Sequence, residues 1–333
     1  MTAEAEKQER IGVLLFNLGG PETLDEVKPF LYNLFSDPDI IRIRWGPLRK
    51  AIAWFIATTR NKKSSGYYKK IGGGSPLREI TDQQASALQA SLAAEGVDAG
   101  VYVGMRCWNP LIEDALADIR REGIARLVVL PLYPQYSIAT TGSSLKRLNE
   151  LLDQDGKRGL SISVINSYHD DQKYIDALAA TVPQELAKFD EPARTHIIFS
   201  AHSVPVSYIE SGDPYLDQTK RTVELVMEKL GSDRPHSLSF QSKVGPVKWL
   251  EPSTDQTIRR LAAEGVTQLL LVPVSFVSEH IETLYELDIL YRDVAKEVGL
   301  PAYRRVPALN TQQEFIDALA RLVMGALREG SEA

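Results

Sequence analysis

EGVTQLLLVPVSF, residues 264–276, is the stretch on which the fold turns: a Glu-Gly pair, an unbroken apolar run and a proline that closes it. The same arrangement stands at residues 122–134 as EGIARLVVLPLYP. A second pair lines up beside the first, VLLFNLGGP at 13–21 with IIFSAHSVP at 197–205. Continuous apolar runs of this length are how strands of a parallel sheet, covered on both faces, read in sequence. Two such matches in one chain predict two copies of one doubly wound unit. The matches are displaced by 142 and 184 residues, so the first copy carries about 42 extra residues between its first strand and its Glu-Gly pair. An insertion on such a scaffold is a place to look for function.

Working outward, strands are expected at 11–18, 101–105, 127–132, 160–165, 197–201, 237–241 and 269–274. Helices are expected at 111–122, after the GSS of 142–144, at 216–230, at 257–264 and at about 312–328. Strands alternating with helices define an α/β fold with a parallel sheet. The chain has 333 residues, 44% hydrophobic and 25% charged, with a net charge of −6, which excludes bulk nucleic-acid binding. A single cysteine, Cys107, excludes an internal disulfide framework and a cysteine-ligated metal cluster. MTAEAEKQER lacks an apolar signal region, and no run approaches the roughly 18 apolar residues that cross a bilayer. The expected location is cytoplasmic, with at most peripheral contact to a membrane.

The insertion falls in residues 40–78, which hold ten Lys or Arg and no Asp or Glu. The same residues include Trp45, Trp54, Phe55, Tyr67 and Tyr68 and end in IGGGSP. A basic, aromatic-rich flap suits a flat apolar ligand with peripheral negative charges, or an anionic membrane surface. Its glycine run is expected to turn backbone N–H groups toward an anion. It is not GxxxxGK[ST], so no nucleotide site is read there.

Beyond the strand at 269–274 comes VSEHIETLYELDI, where Ser278 is the expected helix N-cap. Glu279, Glu282 and Glu286 fall within an arc of about 60° on an ideal α-helix. Carboxylates at that spacing repel unless water, cations or protons offset the cost. His202 ends the first strand of the second copy, and His280 and Glu282 follow its last apolar strand. Strand ends of a parallel sheet meet at one rim, so an imidazole and a carboxylate can converge there. Such a pair, without thiolate, suits a divalent metal held loosely. PLYPQYSIATTGSS (131–144) and SFQSKVGPVKWLEP (239–252) belong to the same rim. His169 and His236 are expected at the surface, and His196 in a structural role.

LFNLGGPETLDEV, YKKIGGGSPL, LPLYPQYSIATTGSS, FSAHSVP, GDPY, FQSKVGPVKWL and VPVSFVSEHIETLYELDI together resemble ferrochelatase, over nearly the whole chain and in order. The resemblance implies insertion of Fe²⁺ into protoporphyrin IX to give protoheme. It implies two Rossmann-like, chelatase-like domains, each with a parallel four-stranded sheet. The expected boundaries are 8–158, with the lip insertion at about 40–78; 159–310, with the metal site; and a helix at 311–330 that packs back on the first domain. By resemblance His202 is the essential histidine and Glu282 its carboxylate partner at the metal. Glu279, His280 and Glu286 form a path for metal or protons. Trp249 and Phe276 bracket the macrocycle, Arg60, Tyr68 and Ser75 hold its propionates, and Arg106 and Tyr133 line the pocket.

Departures from the family pattern sharpen the reading. Ile138 stands at a position where animal members place a cluster cysteine, so no 2Fe–2S cluster and no permanently bound cofactor are expected. Fe²⁺ is substrate, with Zn²⁺ or Co²⁺ as substitutes in vitro. Leu18 stands where coproporphyrin-inserting members place an axial tyrosine, which favours protoporphyrin. Thr59 replaces a second arginine of some relatives, and Cys107-Trp108-Asn109 replaces the more usual aromatic and histidine after Arg106. The chain resembles the cyanobacterial and plant-type branch without its C-terminal extension. Expected partners are protoporphyrin IX, Fe²⁺ and a membrane surface met through the lip, with the protein a monomer or weak homodimer. The alternatives are a chelatase for coproporphyrin or another tetrapyrrole, and a non-catalytic porphyrin or heme carrier.

Overall fold

A computed structural model describes residues 10–41, 43–155, 159–231, 233–245 and 247–329. The first unit holds β1 (Ile11–Asn17), α1 (Val27–Ser36), α2 (Gly46–Lys70), α3 (Leu77–Ala94), β2 (Ala99–Met105) and α4 (Ile112–Arg121). It continues through β3 (Arg126–Pro131), a short π-helix (Ile138–Gly142), α5 (Ser143–Asp155) and β4 (Ser161–Val164). The second unit holds α6 (Gln172–Leu186), β5 (His196–His202), α7 (Val206–Glu210), α8 (Tyr215–Lys229), β6 (His236–Gln241) and α9 (Thr254–Ala263). It ends with β7 (Gln268–Pro273), a longer π-helix (Glu282–Leu290), α10 (Tyr291–Glu297), β8 (Ala302–Arg305) and α11 (Gln313–Glu329).

Both sheets are parallel and four-stranded, in the orders β2-β1-β3-β4 and β6-β5-β7-β8. Register repeats as well as order. Leu15 pairs with Leu130 in the first sheet, and Phe199 with Val272 in the second. Those partners lie at the two displacements found from the sequence. Side chains alternate across each strand: Val13 and Leu15 enter a core shared by the two units, while Leu14 and Phe16 face α4 and α5. Phe199 and Leu270 meet the shared core, and Ile198, Leu269 and Leu271 face α9 and α10. Strands buried on both faces explain the unbroken apolar runs. α11 packs on α6, α3, β3 and β4, so the chain's last helix returns to the first unit.

Several expectations change. A boundary at residue 158 is one strand early, because β4 pairs with β3 inside the first sheet. β8 was not expected from the sequence: AYRR is too short and too polar to stand out, yet it pairs with β7 as an edge strand. The insertion is mainly helix, since α2 runs for 25 residues and packs on α1. Ala53 and Ala57 let it approach Phe30, Leu31 and Phe35, and its far end buries Tyr68 beside Cys107 and Trp108. Part of the glycine run's expected donor set is already used. Gly73 N–H donates to the Tyr68 carbonyl and Ser75 N–H to Pro21 O, so both donors are spent within the protein. A Cβ on Gly74 would lie 2.0 Å from the Glu22 carbonyl oxygen, so this turn passes where only glycine fits.

Candidate metal-insertion site

In the second sheet β5 has β6 on one side and β7 on the other, so the chain reverses direction across β5. A crevice opens at the carboxyl ends of strands where that happens. Three residues stand side by side at its base. His202 ends β5, Gln241 ends β6 in register with it, and Ser275 follows β7 and accepts the His202 backbone N–H at 2.9 Å. Tyr215 O–H donates to the His202 carbonyl at 2.8 Å, which fixes the histidine's backbone from below.

The His202 ring meets Glu282 at the head of the longer π-helix, with Nδ1 to Oε2 at 2.7 Å. A carboxylate accepts, so Nδ1 carries the proton and Nε2 is the nitrogen left for a ligand. The His202 side chain is 38% exposed and that of Glu282 19%, so the pair faces the crevice. His280 Nδ1 lies 3.0 Å from the Ser278 carbonyl, which can only accept, so its Nε2 is also bare. That ring lies 4.5 Å from Phe276, and its Nε2 is 4.0 Å from Glu282 Oε2. Glu286 accepts from Ser242 Oγ at 2.6 Å and from Gln241 Nε2 at 3.0 Å.

These groups divide the charge. Burial pushes Glu282 upward, but the charge and hydrogen bond of His202 outweigh it and carry the carboxyl down to about 2. Burial lowers the His202 imidazolium, and Glu282 outweighs that and raises it above its ordinary 6.5. Glu286 has no cation to itself; burial and then the Glu282 charge lift it to about 7. His280 is lowered, chiefly by burial, and stays neutral. Near neutral pH the crevice therefore holds an ionised carboxylate, an imidazole whose hold on a proton that carboxylate strengthens, and a second carboxyl poised to take or give a proton.

The predicted acidic face is only partly realised. The helix is π over Glu282–Leu290, and its turn holds more residues than an α-turn, which keeps Glu282 and Glu286 in line along one face. Glu279 precedes the helix and leaves the row. Its Oε1 is held by Arg305 Nη1 at 2.7 Å and by Ala308 N–H at 2.9 Å, and Arg305 also clamps Asp288. Burial raises Glu279, but Arg305 outweighs it and holds the carboxyl below its ordinary value. Ser278 is not a cap, because its hydroxyl donates to Gln84 Oε1; Thr283 Oγ1 accepts the His280 N–H instead.

The other expected residues converge from the first unit. Tyr68 on α2 is buried, and its phenol is raised first by burial and then by the Glu282 charge, so the lip reaches the helix that carries Glu282. Leu18 joins Tyr68, Val244 and Ile281 in an apolar cluster that spans the two units. Arg60 stands over the Phe35 ring at 5.9 Å. Ser75 is buried beneath Gly20, and its hydroxyl caps the start of α3 at Leu77 N–H. Arg106 is committed to Asp37 at 2.9 Å and Ser143 at 2.8 Å. The buried Tyr133 hydroxyl has no hydrogen-bond partner. Trp249 is half-buried and donates to the Val244 carbonyl at 3.1 Å, and the Phe276 ring sits edge-on to His202 at 6.4 Å. Among the described residues, no three His, Cys, Asp or Glu side chains surround one point.

Sequence reasoning missed Gln241 and Ser242, which hold Glu286, and Tyr285, whose ring stacks on Tyr67 of the lip at 4.2 Å. The signal available for Gln241 was its place, the closing residue of a strand expected at 237–241 whose end lies on the rim. Of the other histidines, His196 is buried against Ser237 at 2.9 Å, as a structural role requires, and His236 is exposed.

A duplicated parallel-sheet frame with a crevice at the carboxyl ends of its strands defines a chelatase-type fold. Solved structures agree on the fold. SirB from Bacillus subtilis with Fe³⁺ superposes at a TM-score of 0.56, with 11% identity over 95% of both chains. CbiX, the terminal enzyme of siroheme biosynthesis in denitrifying bacteria, gives 0.52 with 12% identity, over 95% of this chain and 99% of that one. The ferrochelatase family profile matches residues 10–327. A ferrochelatase of Cyanothece sp. strain PCC 7425 is 53% identical over 96% of this chain and 83% of its own length. That of Gloeobacter violaceus is 54% identical over 94% and 97%. The chain belongs to the ferrochelatase family and is a metal chelatase, a lyase of heme biosynthesis.

Proposed function

We propose that the second unit's crevice is where Fe²⁺ enters protoporphyrin IX, and that His202 and Glu282 carry the step. The observation behind this is the 2.7 Å His202–Glu282 pair, open to the crevice and faced by the lip. Insertion exchanges one Fe²⁺ for two pyrrole N–H protons, with no change of oxidation state. A flat ring shields its nitrogen lone pairs, so the reaction is helped by binding the ring bent, with contacts to its faces and propionates offsetting the strain. Trp249 and Phe276 are suited to the ring faces, with Leu18 and Tyr133 along the wall. Arg60, Tyr68 and Ser75 are suited to the propionates, and Arg106 supports the wall through Asp37.

His202 reaches the ring nitrogens through Nε2, the atom not bound to Glu282. Only the neutral ring can accept a pyrrole proton or ligate Fe²⁺, so a proton drawn onto His202 by Glu282 has to leave first. Glu286, balanced near neutrality behind Glu282, is the natural recipient. Glu282 and His280 Nε2 offer the metal two donors and leave its other positions to water and then to pyrrole nitrogens. That arrangement binds loosely enough to release iron into the ring. Glu279, tied to Arg305, serves the path by fixing the approach to His280 more than by carrying protons.

Leu18 places no phenol against the ring, which favours protoporphyrin over coproporphyrin. The test mixes the protein with either porphyrin and Fe²⁺ or Zn²⁺ and follows the loss of free-porphyrin fluorescence. Turnover beyond one equivalent, faster with protoporphyrin, supports the reading; a single stoichiometric event makes the protein a carrier.

The lip also suits a membrane surface. Trp45, Leu48, Trp54 and Phe55 are 65%, 42%, 57% and 63% exposed, among the exposed cations Arg44, Lys50, Lys62 and Lys63. Aromatic rings beside cations match the headgroup region of an anionic bilayer. No helix among the described residues is long and apolar enough to cross one. Flotation with anionic but not neutral vesicles, lost in a Trp54→Ala/Phe55→Ala variant, is the expected result; sedimentation of the same samples reports whether the protein is a monomer or a weak dimer.

A further inference from the structure

Gln241 sits one layer behind the reacting groups and has no role in the scheme above. It is 1% exposed at the end of β6, and every polar atom of its side chain is engaged. Its Nε2 donates at 3.0 Å to the main-chain carbonyl of Glu282 and at 3.0 Å to Oε2 of Glu286. Its Oε1 accepts from Ser200 Oγ at 2.6 Å. Ser200 bonds to Thr254 at 3.0 Å, and Thr254 to Ser239 at 2.9 Å. Ser200, Thr254 and Ser239 are all 0% exposed, so the chain is a buried polar brace running from the sheet and α9 to the metal-bearing helix. The two acceptors facing Nε2 and the hydroxyl facing Oε1 fix which way the amide points.

Only this kind of group suits the position. A carboxylate there would place three acceptors together, and an apolar side chain would leave Ser200 and Glu286 short of a partner. The brace touches the head of the π-helix and the carboxylate one turn further on, so it fixes the helix's rotation and its distance from β5. That distance decides whether Glu282 meets His202 at hydrogen-bonding range. The same device stands in the first unit. The residue that follows β2, Arg106, reaches Ser143 at the end of the shorter π-helix. In both units the residue at the close of the second strand ties down the π-helical segment after the third.

We infer that Gln241 is a positioning residue for metal insertion, acting through Glu282 and Glu286 without touching porphyrin or metal. This rests on the reading of the crevice as the insertion site. The experiment compares wild type, Gln241→Met and Ser200→Ala, measuring kcat and KM for protoporphyrin with Zn²⁺, porphyrin affinity by fluorescence quenching, and thermal unfolding. Met keeps the volume and removes both donors and the acceptor; Ser200→Ala frees the amide oxygen and leaves the donors in place. Supporting residues of this kind typically affect activity about 10–100-fold. The expected result is a fall in kcat of that order for Gln241→Met and a smaller one for Ser200→Ala, with porphyrin affinity and KM unchanged. If Gln241→Met does not fold, the kcat of Ser200→Ala decides alone. Wild-type kcat in a folded Gln241→Met, or a loss confined to porphyrin KM, overturns the inference. A wild type that inserts no metal would refute the reading of the site instead, so the two failures are distinguishable.

Discussion

The two units present the same rim with different chemistry. After the first strand stands Leu18 in one and His202 in the other; after the second strand's apolar core come Arg106 and Gln241; after the third, a short π-helix without charge and a long one carrying Glu282 and Glu286. In the first unit the ionic groups neutralise one another: the Asp37 side chain is 0% exposed and closed by Arg106 and Ser143. In the second, His202 is paired on one side only and its other nitrogen faces the crevice. Duplication supplied two frames. One was closed with an ion pair and became wall, and the other was left open and became the site.

The comparison is broken most decisively at His202. His202→Ala is expected to lower insertion about 10²–10⁴-fold, the range for a positioned proton acceptor. Thermal unfolding should hardly change, since the side chain is part-exposed, and adding Leu18→His should restore nothing. The wall should respond in the opposite way. Asp37→Ala removes the fully buried carboxylate and leaves the part-buried Arg106 guanidinium with Ser143 alone, and loss of one member of a buried pair costs up to about 3–5 kcal/mol. Chemical denaturation should register that loss, while turnover of the folded fraction falls far less than in His202→Ala.

A third test uses proton balance. Glu286 titrates near 7 in the folded protein, above the ordinary carboxyl value, so the folded state holds its proton more tightly than the unfolded chain. Its stabilising contribution is fully present below the ordinary carboxyl range and is lost as pH rises through about 7. Glu286→Gln cannot ionise, so its melting temperature should fall less than that of the wild type between about pH 5 and about pH 8. Parallel curves would remove Glu286 from its poised role. The smallest effect is expected at the lip. Tyr67→Ala deletes the stack on Tyr285, worth about 0.5–1.5 kcal/mol, and should speed amide exchange across α2 without changing the sheets.

The sheet frame was legible because strands buried on both faces leave continuous apolar runs, and because a duplicated unit repeats them in register. His202 and Glu282 were legible for the same reason: each follows a strand whose end could be placed on the rim. What was hidden depends on contacts remote in the chain. Nothing near Glu279 shows that Arg305, on a four-residue edge strand, will take its carboxylate out of the acidic row. The start of the helix was hidden too, since a helix read from Ser278 put Glu279 on a face that it precedes. The flap showed no helix in the sequence because its glycines and cations conceal one held by small residues, Ala53 and Ala57, against α1. Gln241 passed as ordinary strand because an amide has no charge to draw attention to it.

The most direct measurement of the central claim is multiple-turnover insertion of Fe²⁺ into protoporphyrin by wild type and Glu282→Gln, with porphyrin binding measured on the same samples. Glutamine keeps the shape and can still accept from His202, but it carries no charge for the imidazolium or the metal. Many turnovers by the wild type, and insertion lowered at least about 10²-fold in the variant with porphyrin still bound, are the predicted outcome. Undiminished turnover by Glu282→Gln would contradict the assignment of the pair as the insertion site.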